Sequence, residues 1–187
     1  KKSFRDERLV PDWAVVDPQL LESCPPALIA ANGMDAMTQL LESYVSTRAN
    51  PVTDALCESG LAAARDGLLA WYEGGESATA GQDRMAYAAL LSGITLAQTG
   101  LGSVHGLAAP LGAFFPIPHG VACGTLVGAA TALNIRALLA RDPANPALGR
   151  YARVAEVLYG RTFPSADAAR SALVVLLRRW TDAMGLA

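Results

Sequence analysis

The sequence predicts an all-α protein, a helical bundle with one short strand at its entrance. Three observations carry this. From Ser23 onward, apolar residues recur at the three- and four-residue spacing of a helix face. Glycine, proline and asparagine sit at the ends of those periodic stretches, where helices start and stop. The one run that fits a strand, Trp13–Val16, is too short to be stable without partner strands.

Taken in order, Lys1–Val10 is charged and reads as a connector or an edge segment. Trp13–Val16 is closed by Asp17-Pro18; either it lies along the helical body or its partner strands belong to chain outside this sequence. Ser23 fits as the cap of a short helix over Pro25–Ala31, with proline in the first turn where its missing N–H costs nothing. Asn32-Gly33 reads as a break. Met34–Ser46 then carries an apolar stripe of Met37, Leu40, Leu41, Tyr44 and Val45, with Asp35, Gln39 and Glu42 on the neighbouring face. Asn50-Pro51 opens a helix from Val52 to about Trp71, which Gly74-Gly75 ends. Asp83 fits as the cap of a helix from Arg84 to about Thr99, ended by Gly100 and Gly102. His105 falls on a short helix. Pro116 and Pro118 force an irregular turn, leaving His119 at the mouth of a helix from Val121 to about Leu139. The glycines and alanines of that helix admit a close neighbour. Leu148–Tyr159 and Ser165–Met184 finish the chain as amphipathic helices, with Arg178 and Arg179 facing outward and Gly185 as a stop.

Composition bounds the class. At 187 residues and 52% hydrophobic, the chain is long and apolar enough for one domain with a substantial core. A net charge of −2 without any basic run argues against a nucleic-acid or anionic-membrane partner. The longest apolar runs are interrupted by glycine, serine and threonine and read as too short and broken to span a membrane. Cys24, Cys57 and Cys123 are odd in number and scattered, which fits small core residues in a reducing compartment; a cytoplasmic protein is expected.

Chemistry concentrates at Val104–Gly120, which holds both histidines of the chain. A single histidine in an apolar run is more often a hydrogen-bonded core residue than a ligand. Two of them, together with Asp35 and Gln39 one helical turn apart, make a plausible four-ligand set for a divalent metal such as Fe²⁺ or Zn²⁺. Glu42 reads more readily as a solvated or helix-paired carboxylate than as a group that orients a ligand.

The segments GMDAMTQ (33–39), GLGSVHGLAAPLG (100–112) and PHG (118–120), with PPALIAANGMDA (25–36), ESYVS (42–46) and ANP (49–51), resemble the iron-containing (group III) alcohol dehydrogenase family. The resemblance covers most of the chain to about Asn134. It implies a two-domain enzyme in which an N-terminal α/β domain binds NAD(P). An all-helical, dehydroquinate-synthase-like C-terminal domain would carry the metal, with an alcohol or aldehyde reacting between the two. On this reading residues 1–18 are the inter-domain strand and crossover, and 19–187 the helical metal and substrate domain. The N-terminal domain lies outside the chain, the chain alone is inactive, and the protein is a homo-oligomer.

The resemblance places ligands at Asp35, His105 and His119, and at Gln39 where most members have histidine. It places Leu28 toward the nicotinamide side of the cleft. Ala109 stands where the family often carries a further histidine, so no proton-relay histidine transfers. A metal-free reductase of the same fold, or a non-catalytic helical module, are the alternatives that the departure at Gln39 keeps open.

Overall fold

The computed structural model describes residues 6–186. Among them are seven α-helices and no strand: α1 (Pro26–Tyr44), α2 (Pro51–Glu73), α3 (Ala78–Thr99), α4 (Ser103–Phe114), α5 (His119–Arg141), α6 (Pro146–Tyr159) and α7 (Ala166–Ala183). Helix α1 is the axis of the bundle. It packs against α2, α3 and α5, and its Met34, Met37, Leu40 and Leu41 are fully buried. Helices α6 and α7 form a hairpin that closes over α5 and α2.

Local chemistry explains most boundaries. Asn50 caps α2 through a reciprocal box, its side chain accepting from the Thr53 backbone N–H while Thr53 Oγ1 accepts from the Asn50 N–H. Ser165 accepts from the Ala168 N–H to start α7. Arg150 on α6 makes a two-pronged pair with Asp54 on α2, at 2.7 and 2.9 Å, and so pins the hairpin to the core.

Three sequence expectations are corrected. Trp13–Val16 is extended but forms no strand, because nothing among the described residues offers it a ladder; Trp13 and Val15 lie in solvent. Asn32-Gly33 does not break the chain, and the two helices expected on either side of it are one, α1. Gly33 serves packing instead, since a methyl group there would meet the Leu68 side chain of α2. Helix α3 begins at Ala78, and Asp83 lies inside its second turn and not at its cap.

Helix α5 also exceeds the interrupted run read from the sequence. Among the described residues it is the one helix long and apolar enough to cross a membrane, yet here it packs against α1, α4 and α7 with Cys123 and Val127 fully buried. Its glycines do admit close neighbours. A side chain at Gly120 would strike the backbone carbonyl of Ala31 on α1, and one at Gly124 would reach Met34 Cβ at 3.1 Å. The start of α5, where His119 sits, is therefore held against α1 nearly backbone to backbone.

Gly120→Ala is expected to push these helices apart and to cost about 1–3 kcal/mol in urea unfolding. Gly149→Ala on the exposed face of α6, where an added Cβ meets nothing within 4 Å, is expected to be neutral or to stabilise by up to about 1 kcal/mol. Equal effects of the two would contradict the packing described.

Candidate metal centre

The site is built by three helices. On α1, residues 35, 39 and 42 are spaced four and seven apart, so Asp35, Gln39 and Glu42 share one face. They look toward the first turns of α4 and α5, which carry His105 and His119.

Glu42 fixes the α4 side. Its carboxylate is only 4% exposed, and it accepts from the Val104 backbone N–H at 2.7 Å and from His105 Nδ1 at 2.7 Å. Gly102 makes room for it, since a Cβ there would stand 2.8 Å from Glu42 Oε1. A carboxylate at a helix N-terminus is stabilised by the unpaired N–H groups and the helix dipole. With Nδ1 committed to Glu42, His105 turns Nε2 toward Asp35 Oδ1, 3.1 Å away. His119 Nε2 lies 3.7 Å from the same oxygen, and 42% of its side chain is exposed. The two imidazole centroids are 5.4 Å apart.

Cys123, one turn after His119 on α5, completes the cluster. Its Sγ is 3.6 Å from His119 Nε2 and 3.7 Å from His105 Nε2. One donor atom from each of Asp35, His105, His119 and Cys123 lies within 4.8 Å of the other three. A carboxylate, two imidazoles and a thiol converging from three helices suit a divalent transition metal. The Glu42–His105 bond fixes the orientation of the His105 imidazole, as outer contacts do for ligating histidines.

The electrostatics follow from this packing. Burial works against charge on His105, but hydrogen bonds to Asp35, Cys123 and Glu42 outweigh it and push its pKa up to about 11. Burial likewise opposes ionisation of Asp35 and Glu42, yet the hydrogen bonds with His105 prevail and hold both below the usual carboxylate range. Without a metal, His105 is thus an imidazolium donating to a carboxylate on each side.

Asp35, His105 and His119 are brought together. Gln39 is beside them but turned: its Nε2 donates to Asp35 Oδ2 at 3.1 Å, and its Oε1 accepts from Ser92 Oγ at 2.8 Å. The carbonyl oxygen of Gln39 is thus turned toward Ser92 on α3. Leu28 lies away from the cluster near the start of α1, half-exposed beside an apolar cavity of about 200 Å³ that Cys24, Trp71 and Met85 also line. Glu42 is buried against the His105 ring, not solvated, and Cys123 Sγ faces both imidazoles. Spacing held both signals: Glu42 is seven after Asp35, and Cys123 four after His119.

A family model described as "Fe-containing alcohol dehydrogenase family, C-terminal" matches residues 29–187. Alcohol dehydrogenase 4 of Saccharomyces cerevisiae is 42% identical over 127 residues, covering 68% of this chain and 33% of the yeast protein. The 1,3-propanediol dehydrogenase of Klebsiella pneumoniae is 35% identical over 177 residues, covering 94% of this chain and 43% of the relative. The crystal structure of a 1,3-propanediol oxidoreductase superposes with a TM-score of 0.81 at 32% identity, over 91% of this chain and 42% of that one. The chain thus spans less than half the length of these relatives.

Because the pKa of folded His105 stands above the ordinary 6.5, its ion pairs contribute stability that is fully present below about pH 6.5. That contribution is lost as pH rises through about 11. In chelator, the urea midpoint is expected to fall as pH rises from 7 toward 11, and His105→Asn is expected to flatten that dependence. Parallel profiles for the two proteins would contradict the imidazolium assignment.

Proposed function

The chain belongs to the Fe-containing alcohol dehydrogenase family, and from that premise we propose that it supplies the metal- and substrate-facing helical part of an NAD(P)-dependent alcohol dehydrogenase. The observation that carries this is the convergence of Asp35, His105 and His119 from three helices onto one point. A divalent metal held there, Fe²⁺ or Zn²⁺, would act as a Lewis acid toward the oxygen of an alcohol or aldehyde while NAD(P) accepts or returns the hydride.

The residues themselves prepare the site. Glu42 holds the His105 ring with Nε2 aimed inward. Gln39 steadies Asp35 through its Oδ2 and leaves Oδ1 facing the imidazoles. His105 must give up its Nε2 proton before it can act as a ligand, so a metal competes with that proton. His119 forms the open side of the cluster, where a small substrate has room to approach. No histidine stands at Ala109 to relay a proton, so a proton leaving the alcohol must reach solvent by another path.

We assign residues 1–18 to a crossover and 19–187 to the helical domain, and place the nucleotide-binding domain outside this chain. A span of less than half the relatives' length supports that division. Leu28, half-exposed at the start of α1, is proposed to face the nicotinamide. The exposed Leu107, Phe114 and Phe115 suit a face covered by that domain or by a second copy. Three free cysteines fit the reducing cytoplasm. The metal-free alternative draws support from the hydrogen bonds by which His105, Asp35 and Glu42 satisfy one another unaided.

The full-length protein, purified without chelator, is expected to hold about one equivalent of Fe or Zn and to oxidise a short-chain alcohol with NAD(P). His119→Ala is expected to lose the metal and to lower kcat/KM by roughly 100-fold or more. Chelator-treated wild type that turns over as fast as the untreated protein would favour the metal-free reading instead.

A further inference from the structure

If Gln39 is not a ligand, the three remaining protein donors leave one vertex of the coordination sphere to be filled. Cys123 stands at it. The thiol is fully buried, on the same face of α5 as His119 and one turn further on. Its position is set by the approach of α1 and α5 at Gly120 and Gly124, which flank it.

The distances test the fit. With bonds near 2.3 Å to sulfur and 2.0–2.1 Å to nitrogen or oxygen, a tetrahedral centre has sulfur–nitrogen edges of about 3.5 Å and nitrogen–oxygen edges of about 3.3 Å. The two sulfur–nitrogen edges here are 3.6 and 3.7 Å. The two nitrogen–oxygen edges are 3.1 and 3.7 Å. These four of the six edges lie within about 0.4 Å of the ideal values, and all the donor atoms lie within 4.8 Å of one another. Gln39 Oε1 is instead turned toward Ser92 Oγ, 2.8 Å away.

We propose that the Cys123 thiolate is the fourth protein ligand, completing an Asp35–His105–His119–Cys123 set of the kind zinc takes, and that Gln39 is a positioning residue for Asp35. This rests on the metal reading above and deepens it. Metal entry would displace two protons to solvent, one from the Cys123 thiol and one from His105 Nε2, and the freed lone pairs would make the new bonds. A thiolate is a softer donor than an amide oxygen and shifts the preference of the site toward Zn²⁺. Zinc also accepts a fifth donor, which keeps the exposed side at His119 available to substrate oxygen.

The test uses Co²⁺ as a spectroscopic probe on full-length protein, stripped with chelator, kept reduced, and titrated with the metal alone. Wild type is expected to bind about one equivalent, with tetrahedral ligand-field bands in the visible and a sulfur-to-cobalt charge-transfer band in the near ultraviolet. Zn²⁺ is expected to displace the cobalt. Cys123→Ser should lose the near-ultraviolet band. Gln39→Ala should keep it while binding about tenfold more weakly. If Cys123→Ser does not fold, Cys123→Ala takes its place, and survival of the near-ultraviolet band in either folded variant overturns the assignment. Stoichiometric ligand-field bands without a charge-transfer band would overturn the Cys123 assignment and leave the metal reading standing. Failure of wild type to bind cobalt at all would overturn both.

Discussion

The Glu42 carboxylate is the constraint on which the rest of the site depends. It is a charge taken almost wholly out of water, and such a group persists only where its oxygens are satisfied. Here they are: Oε1 accepts from the Val104 N–H, and Oε2 accepts from the His105 N–H and the His105 ring. One interaction therefore sets the start of α4, its seat against α1 and the orientation of His105. Gly102 is part of the same device, because any side chain at that position would occupy the space of the carboxylate. Removing Glu42 would leave buried N–H groups without a partner and let the ring turn.

The second constraint is steric. Helix α5 can bring His119 and Cys123 to Asp35 only if its first turns lie against the backbone of α1, and Gly120 and Gly124 permit that approach. Helix α1 thus acts as a ruler. Its residues at 35, 39 and 42 present a ligand, a support for that ligand, and an anchor for the opposing helix. Its other side, Met34, Met37, Leu40 and Leu41, is locked in the core. A small rotation of α1 would move all three polar groups together, so packing of the core and geometry of the site are one property.

Most of the fold was legible in the sequence because it rests on local signals. Asn50-Pro51, the glycines after α2 and α3, and the helical spacing of apolar residues depend on neighbours a turn away. Gly33 misled because glycine has two uses; the sequence shows the residue but not Leu68 of α2, the partner that explains it. Trp13–Val16 misled because strand character is realised only through pairing. In the site, Asp35, His105 and His119 stood out by residue type and by the motifs around them. Glu42 did not, since its role is defined by a helix start 62 residues downstream. Cys123 did not either, because a small apolar thiol on a buried helix face looks the same whether or not imidazoles stand across from it.

The thiolate proposed at Cys123 in place of a neutral donor would also change the charge of the centre. With Asp35 and Cys123 both ionised and both imidazoles neutral, the donor set carries two negative charges. A divalent cation in it is then balanced, whereas Gln39 or a third imidazole in that place would leave one positive charge. A balanced centre costs less to bury and holds its cation more firmly, because little charge is left for solvent to stabilise. It also withdraws less electron density from a substrate oxygen, because the thiolate donates more strongly than an amide. Some of that loss is recovered by location. Glu42 stands behind His105 and not beside the open face, so the negative charge nearest to an incoming oxygen comes from the ligands themselves. A site so arranged favours retention of the metal over acidity, and its reactivity depends on how well the exposed edge at His119 excludes water once substrate is bound.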